Sequence, residues 1–178
     1  LLNRMLLKNL IKGIPKNRNN VVISGLSTNS KDIKKNFIFF AIKGNKINGE
    51  KYIKDAVRKG ASVVVCSKSC KFNNKNILII KTNKIRFLLS EISSKFYRLK
   101  PKNIIAVTGT NGKTSVADLF YQLLKINKLP VASIGTLGVK YNSRVIKTPL
   151  TTPDTIKLHK ILCDLKKKKI ENVIIKAS

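Results

Sequence analysis

Apolar and polar positions alternate along this chain in two rhythms. Short apolar runs of strand length, such as Phe37–Ile42 and Ile77–Ile80, are separated by longer stretches in which apolar residues recur every three or four positions. The pattern predicts strands at Phe37–Ile42, Ser62–Cys66, Asn76–Lys81, Ile104–Thr108, Val131–Ile134 and Asn172–Lys176. It predicts helices at Lys51–Lys59 (stopped by Gly60), Lys84–Leu99, about Lys113–Ile126 and Thr155–Lys168. At the front, Leu6, Leu7, Leu10, Ile11 and Ile14 keep helical spacing, so Leu1–Ile14 reads as an amphipathic helix packed on the domain. Strands alternating with helices argue an α/β fold with mainly parallel strands. Pro101 punctuates the chain and suggests two domains, residues 1–100 and 101–178, the second incomplete because the chain stops within an apolar strand. The first residue is Leu rather than Met, so either the true start is missing or an unusual start codon is used, and the stop on Val173–Ser178 leads to the expectation of a truncated gene product or an excerpt.

The segment Ile104-Ile-Ala-Val-Thr-Gly-Thr-Asn-Gly-Lys-Thr-Ser115 carries candidate chemistry. An apolar strand runs into Gly109 and Gly112, and Lys113 and Thr114 open a helix. Glycines let the backbone turn tightly and bring its N–H groups toward an anion, and the helix N-terminus adds partial positive charge there. In such a phosphate loop Lys113 reaches the β- and γ-phosphates and the Thr114 hydroxyl binds Mg²⁺. The spacing departs from the general pattern: where the usual loop has its first glycine this chain has Val107, and the glycine comes at Gly109.

Composition changes the picture only modestly. Hydrophobic residues at 43% suit a globular chain, and no run approaches the roughly 18 to 20 apolar residues of a membrane span. No signal-peptide pattern opens the chain. The net charge of +29 points to nucleic acid or an anionic membrane surface. Its lysines, however, are dispersed along the chain amid abundant Asn and Ile, all with A/T-rich codons, and no aromatic-rich RNA-binding motif accompanies them. The charge therefore reads as base bias on solvated faces. Cys66 and Cys70 lack the further ligands of a zinc site; reduced thiols in a cytoplasmic protein are expected, with Cys66 buried at a strand end.

The run Thr108–Ser115 resembles the ATP loop of the Mur ligase superfamily, which carries this shortened form, and the resemblance extends over nearly the whole chain. Ser27-Thr-Asn-Ser-Lys31 followed by Asn36–Gly44 is similar to the family's amino-terminal D-S-R … G-D-L-F-V-A-x-x-G pattern, and Asn48–Ile53, Ala56 and Gly60-Ala61 continue it. Ile134–Gly138 and Leu150–Asp154 resemble segments of the branch that adds the third amino acid of the cell-wall peptide. The resemblance implies a small amino-terminal substrate domain followed by the start of an ATP-binding domain. It implies an ATP-dependent ligase of peptidoglycan synthesis, and hence of cell shape and division. ATP would phosphorylate the free carboxylate of D-glutamate in UDP-N-acetylmuramoyl-L-alanyl-D-glutamate, and the amine of diaminopimelate or L-lysine would attack the acyl phosphate. Phosphorylation makes a poor leaving oxygen into a good one, so the protein's task is positioning and charge neutralisation.

By position, Gly109, Thr110, Asn111, Gly112, Lys113, Thr114 and Ser115 would hold ATP, with Lys113 also catalytic and Thr114 on Mg²⁺. Thr28 and Ser30 fall where the family binds uridine, and Asn45, Lys46 and Ile47 on a second uridine-nucleotide contact. Thr151 and Thr152 fall where the sugar-peptide is held, and Ser178 is a further substrate candidate. On its own residues, Thr28–Ser30 reads as an ordinary polar turn, and only the resemblance points to substrate binding there. Two departures stand out. The family's D-S-R is Asn29-Ser30-Lys31 here, and Lys176 stands where the family has a Glu that helps bind Mg²⁺. An ammonium cannot coordinate a hard cation that takes oxygen ligands. The later family parts are absent, so the isolated chain is expected not to catalyse ligation. Open alternatives are a D-alanyl-D-alanine-adding ligase, a folylpolyglutamate synthase, and a non-catalytic basic fragment binding nucleotide or nucleic acid.

Overall fold

The computed structural model describes residues 3–44, 47–136, 138–142, 144–146 and 154–177. The chain divides into two compact units, Leu1–Phe96 and Tyr97–Ser178. Both are α/β.

The first unit is built on four parallel strands in the order β3 (Gly25–Ser27), β4 (Phe37–Phe40), β5 (Ala61–Cys66) and β6 (Leu78–Lys81), preceded by a two-stranded antiparallel pair, β1 (Met5–Leu6) with β2 (Val22–Ile23). The run Val63-Val-Val-Cys66 is buried on both faces of the sheet, which is why it reads as continuous rather than alternating hydrophobicity. One face packs Phe39, Ala41, Val64 and Cys66 against Ile53 and Ala56. The last two belong to α2 (Ile53–Arg58), which follows a 3-10 turn at Gly49–Tyr52 capped by the Asn48 side chain. The helix expected from Lys51 is therefore shorter: it begins as a 3-10 turn, because the Asn48 side-chain oxygen accepts the Glu50 amide and tightens the entry.

The amino-terminal helix expected over Leu1–Ile14 is corrected. Among the described residues of that stretch, only Leu7–Leu10 is helical, as α1. Met5–Leu6 is drawn into strand pairing with Val22–Ile23, and the Leu7 amide donates to the Val21 carbonyl at 2.8 Å, so backbone pairing replaces helix there. Leu7 and Leu10 still bury fully, beside α3 (Ile85–Phe96), whose Leu89, Ile92 and Phe96 face inward.

The second unit has a five-stranded sheet ordered β10-β9-β8-β11-β7. β7 (Asn103–Val107), β11 (Asn172–Lys176) and β8 (Val131–Gly135) run parallel, while β9 (Gly138–Tyr141) and β10 (Arg144–Ile146) add an antiparallel edge. That edge escaped the sequence reading. α4 (Lys113–Ile126) and α5 (Thr155–Lys167) supply the helices. Val173 and Ile175 pack with Leu162, Leu165 and Ile170, whereas Ile174 and Lys176 alternate to the opposite face. α4 is fixed to the sheet by Asp118, which accepts from Lys140 of β9 at 3.1 Å, and the Lys140 ammonium also lies 4.5 Å from the centre of the buried Tyr121 ring.

Candidate functional site

The loop between β7 and α4 is where the second unit gathers its chemistry. β7 and β11 lie in parallel register with Val107 opposite Lys176, and β8 continues into Thr136, so three parallel strands end along one edge of the sheet. Ligands bind outside the carboxyl ends of strands in open α/β sheets. The Ala177 amide donates to the Val107 carbonyl at 2.9 Å and holds the two strand ends level.

The chain then turns through Gly109 (φ 145°) and Gly112 (φ 77°, ψ −12°), both in the positive-φ region that side chains disfavour. A Cβ on Gly112 would meet no atom within 4 Å, and one on Gly109 would meet only the Asn111 carbonyl oxygen at 3.8 Å. The glycines are thus required by the backbone's direction and not by crowding. Gly112 is the N-cap of α4 and carries no capping side chain, so the first amides of the helix have no side-chain acceptor from that position. An anion is the natural partner of amides so arranged.

Lys113 bends back over the loop and donates to the carbonyl oxygens of Gly109 and Thr110, the second at 3.1 Å. These bonds hold its ammonium at the concave side of the turn. Thr110, Asn111, Thr114 and Ser115 are all exposed.

The Thr114 hydroxyl, expected to bind Mg²⁺, instead accepts a hydrogen bond from the Lys176 ammonium at 2.8 Å, and the same ammonium donates to the Thr136 hydroxyl at 2.6 Å. The residues here do not fit a protein-held divalent cation. Mg²⁺ needs oxygen ligands at about 2.0–2.1 Å in near-octahedral array, and an ammonium is bonded to both the Thr114 and the Thr136 hydroxyls. Among the described residues no group of three or more His, Cys, Asp or Glu side chains could hold a metal ion. Thr136 was missed as a site residue in the sequence. Its position after β8 gives it this role, and strand order is not visible in a linear reading.

In the first unit, Thr28 is exposed and Ser30 is buried. The stretch forms an Asx-type turn: the Asn29 side-chain oxygen accepts the Lys31 amide at 3.0 Å, and the Asn29 amide nitrogen donates to Asp32 at 3.2 Å. Ser30 is engaged with Asp55. Its hydroxyl hydrogen bond, followed by Lys59 (3.3 Å from the carboxylate), holds Asp55 below the usual carboxylate value against the opposing effect of burial. Ser30 therefore supports the turn from beneath, and Thr28 is the member that faces solvent. The Ile47 side chain is exposed, its carbonyl oxygen accepts the Gly44 amide at 2.8 Å, and Lys43 and Asn48 form an antiparallel bridge. The other candidates, Asn45, Lys46, Thr151, Thr152 and Ser178, lie outside the described residues.

Cys66 is buried at the end of β5; burial, and then its hydrogen bond with Cys70, pushes its thiol up to about 12.

Comparison with known proteins agrees with this geometry. The model of the Mur ligase family, catalytic domain, matches residues 22–97, and that of the Mur ligase middle domain matches residues 107–178. A UDP-N-acetylmuramoyl-L-alanyl-D-glutamate–2,6-diaminopimelate ligase of Rickettsia montanensis is 41% identical over 163 residues, covering 88% of this chain and 33% of the relative. The ligase of the same name from Brucella melitensis biotype 1 is 33% identical over 158 residues, covering 89% of this chain and 32% of the relative. A solved structure of a ligase of that name superposes with a TM-score of 0.80 at 25% identity, over 98% of this chain and 36% of the other. The chain thus spans about a third of the length of the curated relatives it matches. Two family models that divide the chain between them, and relatives of one name over most of its length, show that this chain belongs to the Mur ligase family.

Proposed function

We propose that this chain supplies the substrate-binding and ATP-loop parts of a ligase that joins diaminopimelate to UDP-N-acetylmuramoyl-L-alanyl-D-glutamate. In this reading residues 1–100 form the UDP-sugar domain and residues 101–178 begin the ATP-binding domain. The observation that carries the reading is the loop Gly109–Ser115, set between a parallel strand and an uncapped helix N-terminus with Lys113 held over the turn. The printed names of the relatives supply the substrate.

The roles follow from the chemistry of the residues. The amides from Gly112 onward and the Lys113 ammonium take the triphosphate; Lys113 exchanges its two carbonyl partners for phosphate oxygens and follows the charge that develops as the γ-phosphoryl moves to the glutamate carboxylate. Thr28 and the backbone around Ile47 contact the uridine part, with Ser30 shaping the turn. Asn45, Lys46, Thr151, Thr152 and Ser178 remain substrate contacts in this reading. Diaminopimelate is preferred over lysine as the incoming amine because the matched relatives carry it in their names. Nucleotide substrates and three free, buried cysteines suit a cytoplasmic setting. Among the described residues no helix is long and apolar enough to cross a membrane.

Calorimetric titration of the chain with ATP and, separately, with UDP-N-acetylmuramoyl-L-alanyl-D-glutamate tests the reading. Binding of both is expected, with product formation absent from the chain alone. Indifference to the UDP-sugar together with tight, steeply salt-dependent DNA binding would support the competing reading of the +29 charge and reject this one.

A further inference from the structure

We propose that the cavity between the carboxyl ends of α4 and α5 is a binding site for a small, multiply charged phosphate anion, such as a diphosphate, held by Lys128, Lys168 and Lys169. The cavity lies where β8 and β11 begin, whereas the Gly109–Ser115 loop follows the end of β7.

The backbone supplies the first observation. Both helices close in the same way. After α4 the Lys128 amide donates to the Lys125 carbonyl oxygen at 3.0 Å and the Leu129 amide to that of Leu124 at 2.9 Å. After α5 the Lys169 amide donates to the Lys166 carbonyl oxygen at 2.9 Å and the Ile170 amide to that of Leu165 at 3.1 Å. This paired closure puts one residue in the left-handed region, usually glycine and sometimes asparagine. Here it is lysine both times, Lys128 at φ 58° and Lys169 at φ 62°. Asn142, at φ 45°, lines the same cavity, so three of the four positive-φ residues other than glycine among the described residues meet there. Backbone strain of this kind clusters at ligand sites. Base bias does not select lysine at these positions, because asparagine is equally abundant in its reach and fits the conformation better.

Strand register sets the two lysines side by side. Val131 of β8 pairs with Asn172 of β11, and each lysine stands three residues before its strand residue. The Asn172 amide and side chain both donate to the Pro130 carbonyl oxygen, at 3.2 and 3.0 Å, and tie the two connections together.

Charge supplies the second observation. The cavity holds about 370 Å³ and has no carboxylate in its lining. The four carboxylates of this unit pair with other lysines: Asp118 with Lys140, Asp154 with Lys157, Asp164 with Lys167 and Glu171 with Lys166. The Lys168 ammonium lies 4.4 Å from the centre of the Tyr141 ring and donates to its hydroxyl, a neutral group that positions the cation. The helix ends do not call for Lys128 and Lys169, since the closing amides take their carbonyl oxygens and Lys125 and Lys167 already place cations in the last turns.

The ligand class follows from the side chains. Ammoniums hold phosphate oxygens as point charges, whereas the planar fork that matches a carboxylate belongs to arginine, which the lining lacks. Ammoniums gathered in one cavity repel each other, and an anion of more than one charge relieves the repulsion. The volume is at the small end of ligand cavities, which run to roughly 300–1,000 Å³, so it suits a compact group and not a polymer.

The test is amide NMR of the nitrogen-15-labelled 178-residue chain titrated with inorganic pyrophosphate. The native sequence is compared with Lys128→Gly plus Lys169→Gly, and with Lys8→Gln plus Lys12→Gln, which removes the same charge from the first unit. Glycine relieves the left-handed backbone, so the glycine pair should melt no lower than the native chain; Lys128→Asn plus Lys169→Asn carries the comparison if it does. Saturable shifts are expected at Leu129, Asn142 and Ile170, weakened at least tenfold in the glycine pair and less than twofold in the glutamine pair. Shifts at Gly109–Ser115 report the loop separately, so either site can fail without the other. No saturable shift at the three cavity amides, native-like binding by the glycine pair, or equal weakening by the glutamine pair overturns the proposal. Sedimentation with phosphatidylglycerol vesicles is the second arm: capture that depends on Lys128 and Lys169, without pyrophosphate shifts at the cavity, assigns these lysines to a lipid surface and overturns it as well.

Discussion

Gly112→Ala isolates what the loop's backbone costs. Gly112 sits at φ 77° and ψ −12°, in the left-handed region, at the N-cap of α4. An L-residue there loses about 1–2 kcal/mol to the contact between its Cβ and the carbonyl oxygen. Alanine is also a poorer N-cap than glycine, by roughly half a kcal/mol. Against this, alanine restricts the unfolded chain and recovers about 0.4–1 kcal/mol. Beyond the local backbone nothing lies within 4 Å of the added Cβ, so no further steric cost enters. The net loss should be about 1 kcal/mol, which lowers the melting temperature of a unit this size by about 4–8 °C. Gly112→Asn should recover part of the loss, because Asn tolerates the left-handed region better. Gly49→Ala is the contrasting case: its Cβ would meet the Ile42 carbonyl oxygen at 2.7 Å and the Ile42 nitrogen at 2.8 Å, so the backbone must move and the loss should exceed that at Gly112. Thermal unfolding followed by circular dichroism measures all three. A neutral Gly112→Ala, or one as damaging as Gly49→Ala, would refute the view that this loop is conformationally strained yet sterically open.

Ser30→Ala should raise the Asp55 pKa toward its ordinary value of 3.8, read by NMR titration of the carboxylate, since the Ser30 hydroxyl is the leading cause of its depression. Because the folded pKa is depressed, the stability this carboxylate contributes is present above the unfolded value and lost as pH falls through the folded one; the variant should show less of that acid loss. Cys66, raised to about 12, carries the opposite sign: its contribution is complete below the ordinary thiol value of 9.0 and is lost as pH climbs toward 12. The thiol should resist alkylation in the folded chain at neutral pH and react on denaturation, as mass spectrometry would show. Finally, α4 exposes Val116, Leu119, Leu123 and Ile126, the last at 75%. The chain should bind a hydrophobic dye, and Leu119→Lys with Ile126→Lys should reduce the fluorescence while circular dichroism stays unchanged.

Much of this protein was legible in its sequence, for local reasons. β11 falls on Asn172–Lys176 as the apolar run predicts, and α4 and α5 begin at Lys113 and Thr155, because a glycine turn and an Asp154 side chain accepting the Lys157 amide fix their starts within a few residues. The ATP-loop signature is likewise local, since strand, turn and helix are consecutive. What the linear pattern missed was set by partners distant in the chain. Met5–Leu6 became strand because Val22–Ile23 offered it hydrogen bonds, against a helical spacing that holds only for Leu7–Leu10. β9 and β10 span only four and three residues, and Arg144–Ile146 is exposed throughout, so neither makes an apolar run long enough to announce a strand. At the site, the sequence determined that Lys176 is no metal ligand, because an ammonium has no lone pair to give. Only the tertiary structure decided what it does instead. Parallel pairing of β11 with both β7 and β8 brings Lys176 between Thr114 and Thr136, residues 62 and 40 positions away, where its ammonium donates to both hydroxyls.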